Sequence, residues 1–135
     1  MLRMVTASIV FCLLANGCVA SELDTPEKML AEFSPIRSQK GIRVVDHARL
    51  DNRSGFDCMW HLRHSPRRFK TLSEEAGFHR CKEEGAVWQR DDAIREFHLE
   101  LVTLARYTRF CSREPGDLVL VSPDRSESYY FAVVF

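Results

Sequence analysis

The chain has 135 residues, with 19 Lys+Arg against 19 Asp+Glu, 45% hydrophobic and 28% charged. That length suits one domain around one core, since two domains would each be too small to bury much apolar surface. The charge balance excludes a strongly charged disordered tail and a whole-surface cationic nucleic-acid binder, so any basic site must be local.

Residues 1–20 read as a secretory leader. Arg3 supplies the positive start, Val5 to Ala15 an apolar run too short to span a bilayer, and Cys18-Val19-Ala20 the small-residue end before Ser21. Removing this segment takes away Arg3 and no acid, which leaves 18 bases against 19 acids. After residue 20 no stretch approaches the roughly 18 apolar residues of a membrane span. The expectation is a secreted protein with no membrane partner.

Next comes a helix. Thr25 is an N-cap, Pro26 suits the first helical position and Glu27 sits at the positive dipole end. Met29, Leu30 and Phe33 form its apolar face, and Pro35 stops it. Ile42 to Val45 is a short β-prone run. Asp51 to Gly55 reads as a turn, and Asn52-Arg53-Ser54 within it fits an N-glycosylation acceptor if the source is eukaryotic. Phe56 to Leu62 returns as a second strand, with Phe56, Cys58 and Trp60 on one face, so the pair predicts an antiparallel hairpin.

Ser65-Pro66 caps a second helix, in which Phe69, Leu72 and Ala76 recur at helical spacing until Gly77 ends it. Residues 91–110 fit two templates. Ile94, Phe97, Leu101, Leu104 and Ala105 make a helical stripe, while Phe97, Leu99, Leu101 and Thr103 make a strand, and periodicity does not decide between them. Leu118 to Val121 and Tyr129 to Phe135 are β-rich and flank a polar loop, which predicts a closing hairpin.

Secretion makes the cysteines candidates for a disulfide. Cys58, Cys81 and Cys111 follow the leader, so one bridge forms and one thiol is left over, in any of three pairings. Cys58 and Cys111 are the candidate pair, and closing that loop would contribute about 4 kcal/mol on the chain-entropy model. No close CxxC spacing suggests zinc, and His61-x-x-His64 alone reads as a solvated histidine pair, so neither metal nor cofactor is expected.

From Trp60 to Thr71 the chain holds His61, Arg63, His64, Arg67, Arg68 and Lys70 with no acid. Arginine outnumbers lysine 15 to 4 in the whole chain, and its planar fork matches phosphate oxygens. Trp60, Phe69 and Phe78 lie near enough in sequence to stack on bases. The plain alternative is a solvated basic face balanced by Glu74 and Glu75. For acid-base work Glu96 and His98 are the local candidates: on a strand they share a face, whereas on a helix they diverge. No GxSxG, Walker loop or HExxH is present.

The order of these elements resembles the small secreted fungal guanyl-preferring ribonucleases. It more closely resembles the ribonuclease-like secreted effectors of powdery mildews. Phe56-Asp57-Cys58 resembles their aromatic-x-Cys motif, and the Ser65 to Gly77 helix their single long helix. Phe78-His79-Arg80 resembles their Tyr-Pro-His-Lys stretch, and Glu96-Phe97-His98-Leu99 their Glu-Trp-Pro-Ile strand. Asp117 to Val121 and Tyr130 to Val134 resemble their last core strands. The resemblance covers residues 56–135 and implies an α+β fold: an antiparallel twisted sheet packed on one main helix, preceded here by residues 21–55, an N-terminal helical extension and the first hairpin strand.

The resemblance also implies that His79 and Glu96 stand where active members deprotonate the ribose 2′-hydroxyl. The phosphate-stabilising arginine is replaced by Leu118, and the second histidine and C-terminal cysteine of the family fall beyond Phe135. The expectation is therefore a secreted effector with a catalytically degenerate ribonuclease fold. It would act by binding RNA, through Arg63, Arg67, Arg68, Lys70 and Arg80, or a host protein. The alternatives are an active endoribonuclease in which His98 or His79 supplies the missing acid, and a small disulfide-containing inhibitor or adhesion module.

Overall fold

The structure is a computed structural model that describes residues 25–81, 94–100, 104–114 and 116–134. The expected leader lies outside them. The architecture is α+β, and its centre is one six-stranded antiparallel sheet. In chain order the elements are α1 (Pro26–Phe33), β1 (Arg43–Asp51), β2 (Phe56–Arg63), α2 (Pro66–Ala76), β3 (His79–Arg80), β4 (Thr108–Cys111), β5 (Leu118–Val121) and β6 (Glu127–Val134). The strands lie side by side as β1-β2-β6-β5-β4-β3.

Both helices start where their caps predict. The Thr25 hydroxyl accepts from the Lys28 N–H at 3.2 Å, and the Ser65 hydroxyl from the Arg68 N–H at 3.0 Å. Gly77 closes α2 in the left-handed region at φ 70°, where a β-carbon would be strained, and the Phe78 N–H donates back to the Ser73 carbonyl. The β1–β2 turn closes through the Asn52 N–H to the Gly55 carbonyl at 2.9 Å. β1 runs well beyond the short run read from sequence, because Asp46 to Asp51 continue the pairing with β2 past an irregularity between Val44 and Asp46.

The sheet is covered on both faces. On one, Cys58, Trp60 and Leu62 of β2, Tyr130 and Ala132 of β6, and Val119 and Val121 of β5 pack against Met29, Leu30, Phe69 and Leu72 of the two helices. On the other, Met59, Leu118, Leu120 and Phe131 pack under Ile94, Phe97, Leu104 and Tyr107. β5 is therefore buried on both sides, which explains its unbroken apolar run Leu118-Val119-Leu120-Val121.

Two expectations change. The stretch before β1 is an integral part of the core rather than an appendage. Met29, Leu30 and Ile36 share the cluster of α2, and the Trp60 indole N–H donates to the Pro26 carbonyl at 3.0 Å. The sheet thus packs on two helices, not on one main helix. The strand reading of residues 96–99 also fails. Ile94 to Glu96 are helical, the Leu99 N–H bonds the Ile94 carbonyl at 2.8 Å and the His98 N–H the Arg95 carbonyl at 3.2 Å. With His98 at φ 58°, this is a Schellman helix end, and Ile94 and Leu99 join the same apolar cluster. Burying Ile94 and Phe97, three residues apart, outweighs the local alternation.

Candidate nucleic-acid interface

The residues expected to do acid-base chemistry are not brought together. His79 is exposed on the edge strand β3, with Nδ1 2.9 Å from the Gly77 carbonyl oxygen. Glu96 is exposed at the helix end and lies near Asp57 of β2. Burial first, and then the Glu96 carboxylate, push the Asp57 pKa up. β2 and β3 are four strand spacings apart, roughly 19 Å at the usual spacing. His98 lines a cleft of about 250 Å³ together with Leu99, Glu100, Leu104 and Tyr129, and Glu96 is not among the lining residues.

The basic stretch divides by what each side chain touches. Arg68 is a structural clamp. Its Nε donates to the Lys40 carbonyl at 2.7 Å, Nη2 to the Ser38 carbonyl at 2.6 Å and Nη1 to the Thr71 hydroxyl at 2.9 Å, with Glu75 at 3.6 Å. This ties the loop before β1 to α2 and removes Arg68 from the set of expected RNA contacts. Arg63 leans on Glu127 at 3.9 Å. Arg67 and Lys70 remain exposed on α2.

Arg80 finds an unexpected companion. Its guanidinium lies over the Phe110 ring at 5.8 Å from β3, and the Arg125 guanidinium reaches the same ring at 5.8 Å from the β5–β6 turn. Arg125 also covers Phe69 at 5.4 Å, and Phe69 stands 6.2 Å from Phe110. Both arginines and a half-exposed aromatic thus share one surface. Among the described residues no carboxylate forms an ion pair with either arginine.

The turn that presents Arg125 is stiff. Asp124 Oδ1 accepts from the Ser122 and Ser126 hydroxyls and from the Ser126 N–H, and these hydrogen bonds, those from Ser126 first, hold its carboxyl below the usual range. Sequence reading passed over Arg125 as part of a polar loop. Only the folding of that turn across α2 brings it to Phe110.

On the opposite face lies a second polar cluster. Glu127 accepts from the Tyr107 hydroxyl at 2.6 Å and is joined to His61 Nε2 at 2.6 Å. Burial would raise the Glu127 pKa, but the hydrogen bonds from Tyr107 and His61 outweigh it and the carboxyl sits low. His61 stacks on Tyr129 with centroids 4.2 Å apart. His64, three residues on, instead bonds the Ser128 hydroxyl at 2.9 Å and stacks on Phe69. The two histidines therefore do not form a pair, and no metal-holding group exists among the described residues.

The disulfide joins Cys81 to Cys111, not Cys58 to Cys111. Cys58 is a buried free thiol whose pKa burial pushes up to about 12. The reason is topological. Cys58 on β2 faces the helices, while Cys111 on β4 is in register with Leu118 of the other face. Three strand spacings separate β2 from β4, roughly 14 Å, against the ~7 Å that a bridge tolerates between α-carbons.

Comparison of the chain with protein families, curated proteins and solved structures gives no match. Among the described residues no helix is long and apolar enough to cross a membrane.

Proposed function

We propose that this is a secreted, ribonuclease-like protein that no longer cleaves RNA and acts by binding it through the surface around Arg80, Phe110 and Arg125. The observation that carries the reading is the convergence of two guanidiniums, from separate segments, on one half-exposed ring, with no ion-paired carboxylate among the described residues. Guanidiniums match phosphate oxygens, and an accessible aromatic accepts an unpaired base. Arg67 and Lys70 on α2 are also exposed.

Loss of catalysis fits the same geometry. His79 and Glu96 do not meet, and Leu118, which stands where the resemblance calls for an arginine, is fully buried. Without a cation at that position the phosphorane charge loses a stabilising partner, and without a paired base the 2′-hydroxyl proton has no acceptor there. The disulfide and the absence of a membrane-spanning helix among the described residues are compatible with secretion.

The test is a binding titration with structured RNA at two salt concentrations. Binding should weaken as salt rises, and Arg80→Glu with Arg125→Glu should remove it, while Arg68→Ala should leave it intact. No binding at low salt refutes the RNA reading and leaves a host protein as the partner to seek.

The active-enzyme reading has one observation in its favour: the Glu127–His61 pair at 2.6 Å beside Tyr107. A cleaving enzyme would then work there rather than at His79 and Glu96. Cleavage that Glu127→Gln abolishes and Glu96→Gln spares would establish it.

A further inference from the structure

We propose that the Cys81–Cys111 bridge is a redox-controlled clasp on the RNA-binding surface. Closed, it holds Arg80 against Phe110; opened by a dithiol reductant, it releases that arm. The proposal rests on the RNA-binding reading for its consequence, but the clasp itself has its own evidence.

β3 is only two residues long and, among the described residues, is an edge strand paired to β4 alone, as His79 with Cys111 and Arg80 with Phe110. Its two ends are anchored differently. Before it, Phe78 is packed into the core 5.9 Å from Phe69 and 6.1 Å from Tyr130, and its N–H closes α2. After it, the anchor among the described residues is the covalent bond from Cys81 to Cys111. The bridge is thus one residue from Arg80 on one strand and one residue from Phe110 on the other. An exposed cation over a ring is a weak contact, and two ladder positions at an edge fray readily. Without the bridge, little among the described residues keeps Arg80 on the surface.

The reaction balances simply. A dithiol gives up two electrons and two protons and closes its own S–S bond, while the Cys81–Cys111 bond becomes two thiols. Cys81 is half-buried and Cys111 buried, so of the two cysteines Cys81 is the more exposed to a reductant. The leftover thiol does not interfere. Cys58 is fully buried on the helix side of the sheet, its proton held by burial, and the topology keeps it from both bridge cysteines. Reduction and reoxidation therefore act on one pair among the described cysteines.

The experiment compares the full chain before and after dithiothreitol, by amide hydrogen exchange and by RNA titration. On reduction Arg80 should lose its exchange protection altogether, while β2 and β6 keep protection lowered only by the general loss of stability, and RNA affinity should fall about tenfold, as expected for losing one charged contact. Cys81→Ser should match the reduced protein. Unchanged protection at Arg80 overturns the clasp, and so does an equal loss at Arg80 and throughout β2 and β6, which would make the bridge a general staple. Equal RNA affinity of the two forms, with protection lost at Arg80, overturns its control of binding. If the oxidised chain binds no RNA at all, the binding reading fails, and the exchange result alone decides the clasp.

Discussion

The Tyr130 hydroxyl donates to the Asp117 carboxylate across 2.6 Å inside the core, with the Ser112 hydroxyl 3.0 Å away. Asp117 is 3% exposed, and burial pushes its pKa up to about 7 against the stabilising bonds from Tyr130 and the Val133 backbone. A carboxyl raised in the folded state favours folding below its unfolded value near 3.8 and loses that contribution as pH rises through 7. Asp117→Asn keeps the acceptor and cannot ionise. It should therefore gain stability at pH 8 relative to pH 4, by at most about 4 kcal/mol. Urea melts at both values check this; an equal change at the two would count against it.

Two imidazoles act on the acid side. Burial lowers the pKa of His47, whose Nε2 is buried without a hydrogen-bond partner among the described residues, and of His64, which packs on Phe69. A lowered histidine contributes its full share above the unfolded value of 6.5 and loses it as pH falls below. His47→Phe should be neutral near pH 8 and should stabilise the fold near pH 5. A thermal scan in which the variant and the parent differ equally at both pH values would refute this.

Arg68 and Arg125 should separate fold from binding. Arg68→Ala breaks three side-chain hydrogen bonds, two of them to the carbonyls of Ser38 and Lys40, and should cost about 2 kcal/mol of stability with RNA affinity intact. Arg125→Ala should do the reverse, weakening binding with little change in the melting midpoint. Matched titrations and melts read both effects.

Peptide mapping after thiol alkylation of the unfolded, unreduced chain should find, among the three described cysteines, Cys58 blocked and Cys81 linked to Cys111. Cys81→Ser should cost about 3.5 kcal/mol, as expected for a loop of 30 residues. Cys58→Ala should cost about 1 kcal/mol, a small cavity in the helix-side core. A linkage that includes Cys58 would overturn the strand order between β2 and β4.

Among the predicted site residues, Arg80 could be read from sequence because it lies in a short run with Phe78 and His79. Its partner could not, since Arg125 lies 45 residues on and meets the same ring only after β5 and β6 pair. His61 was visible as half of a histidine pair. Its true partner, Glu127, is 66 residues away and becomes a neighbour because Arg63 and Glu127 start the β2–β6 register.

What the chain determines by itself is local. Thr25-Pro26 and Ser65-Pro66 start helices, Gly77 ends one, and Asp51 to Gly55 turns a hairpin, because each of these depends on hydrogen bonds or dihedral limits within a few residues. The tertiary structure alone chose helix over strand at residues 94–96, Cys81 over Cys58, and Arg125 over Arg68. Those outcomes turn on which face of the sheet a side chain meets and how many strands lie between two residues. Such quantities exist only once distant segments have paired and the apolar surface of both faces is covered.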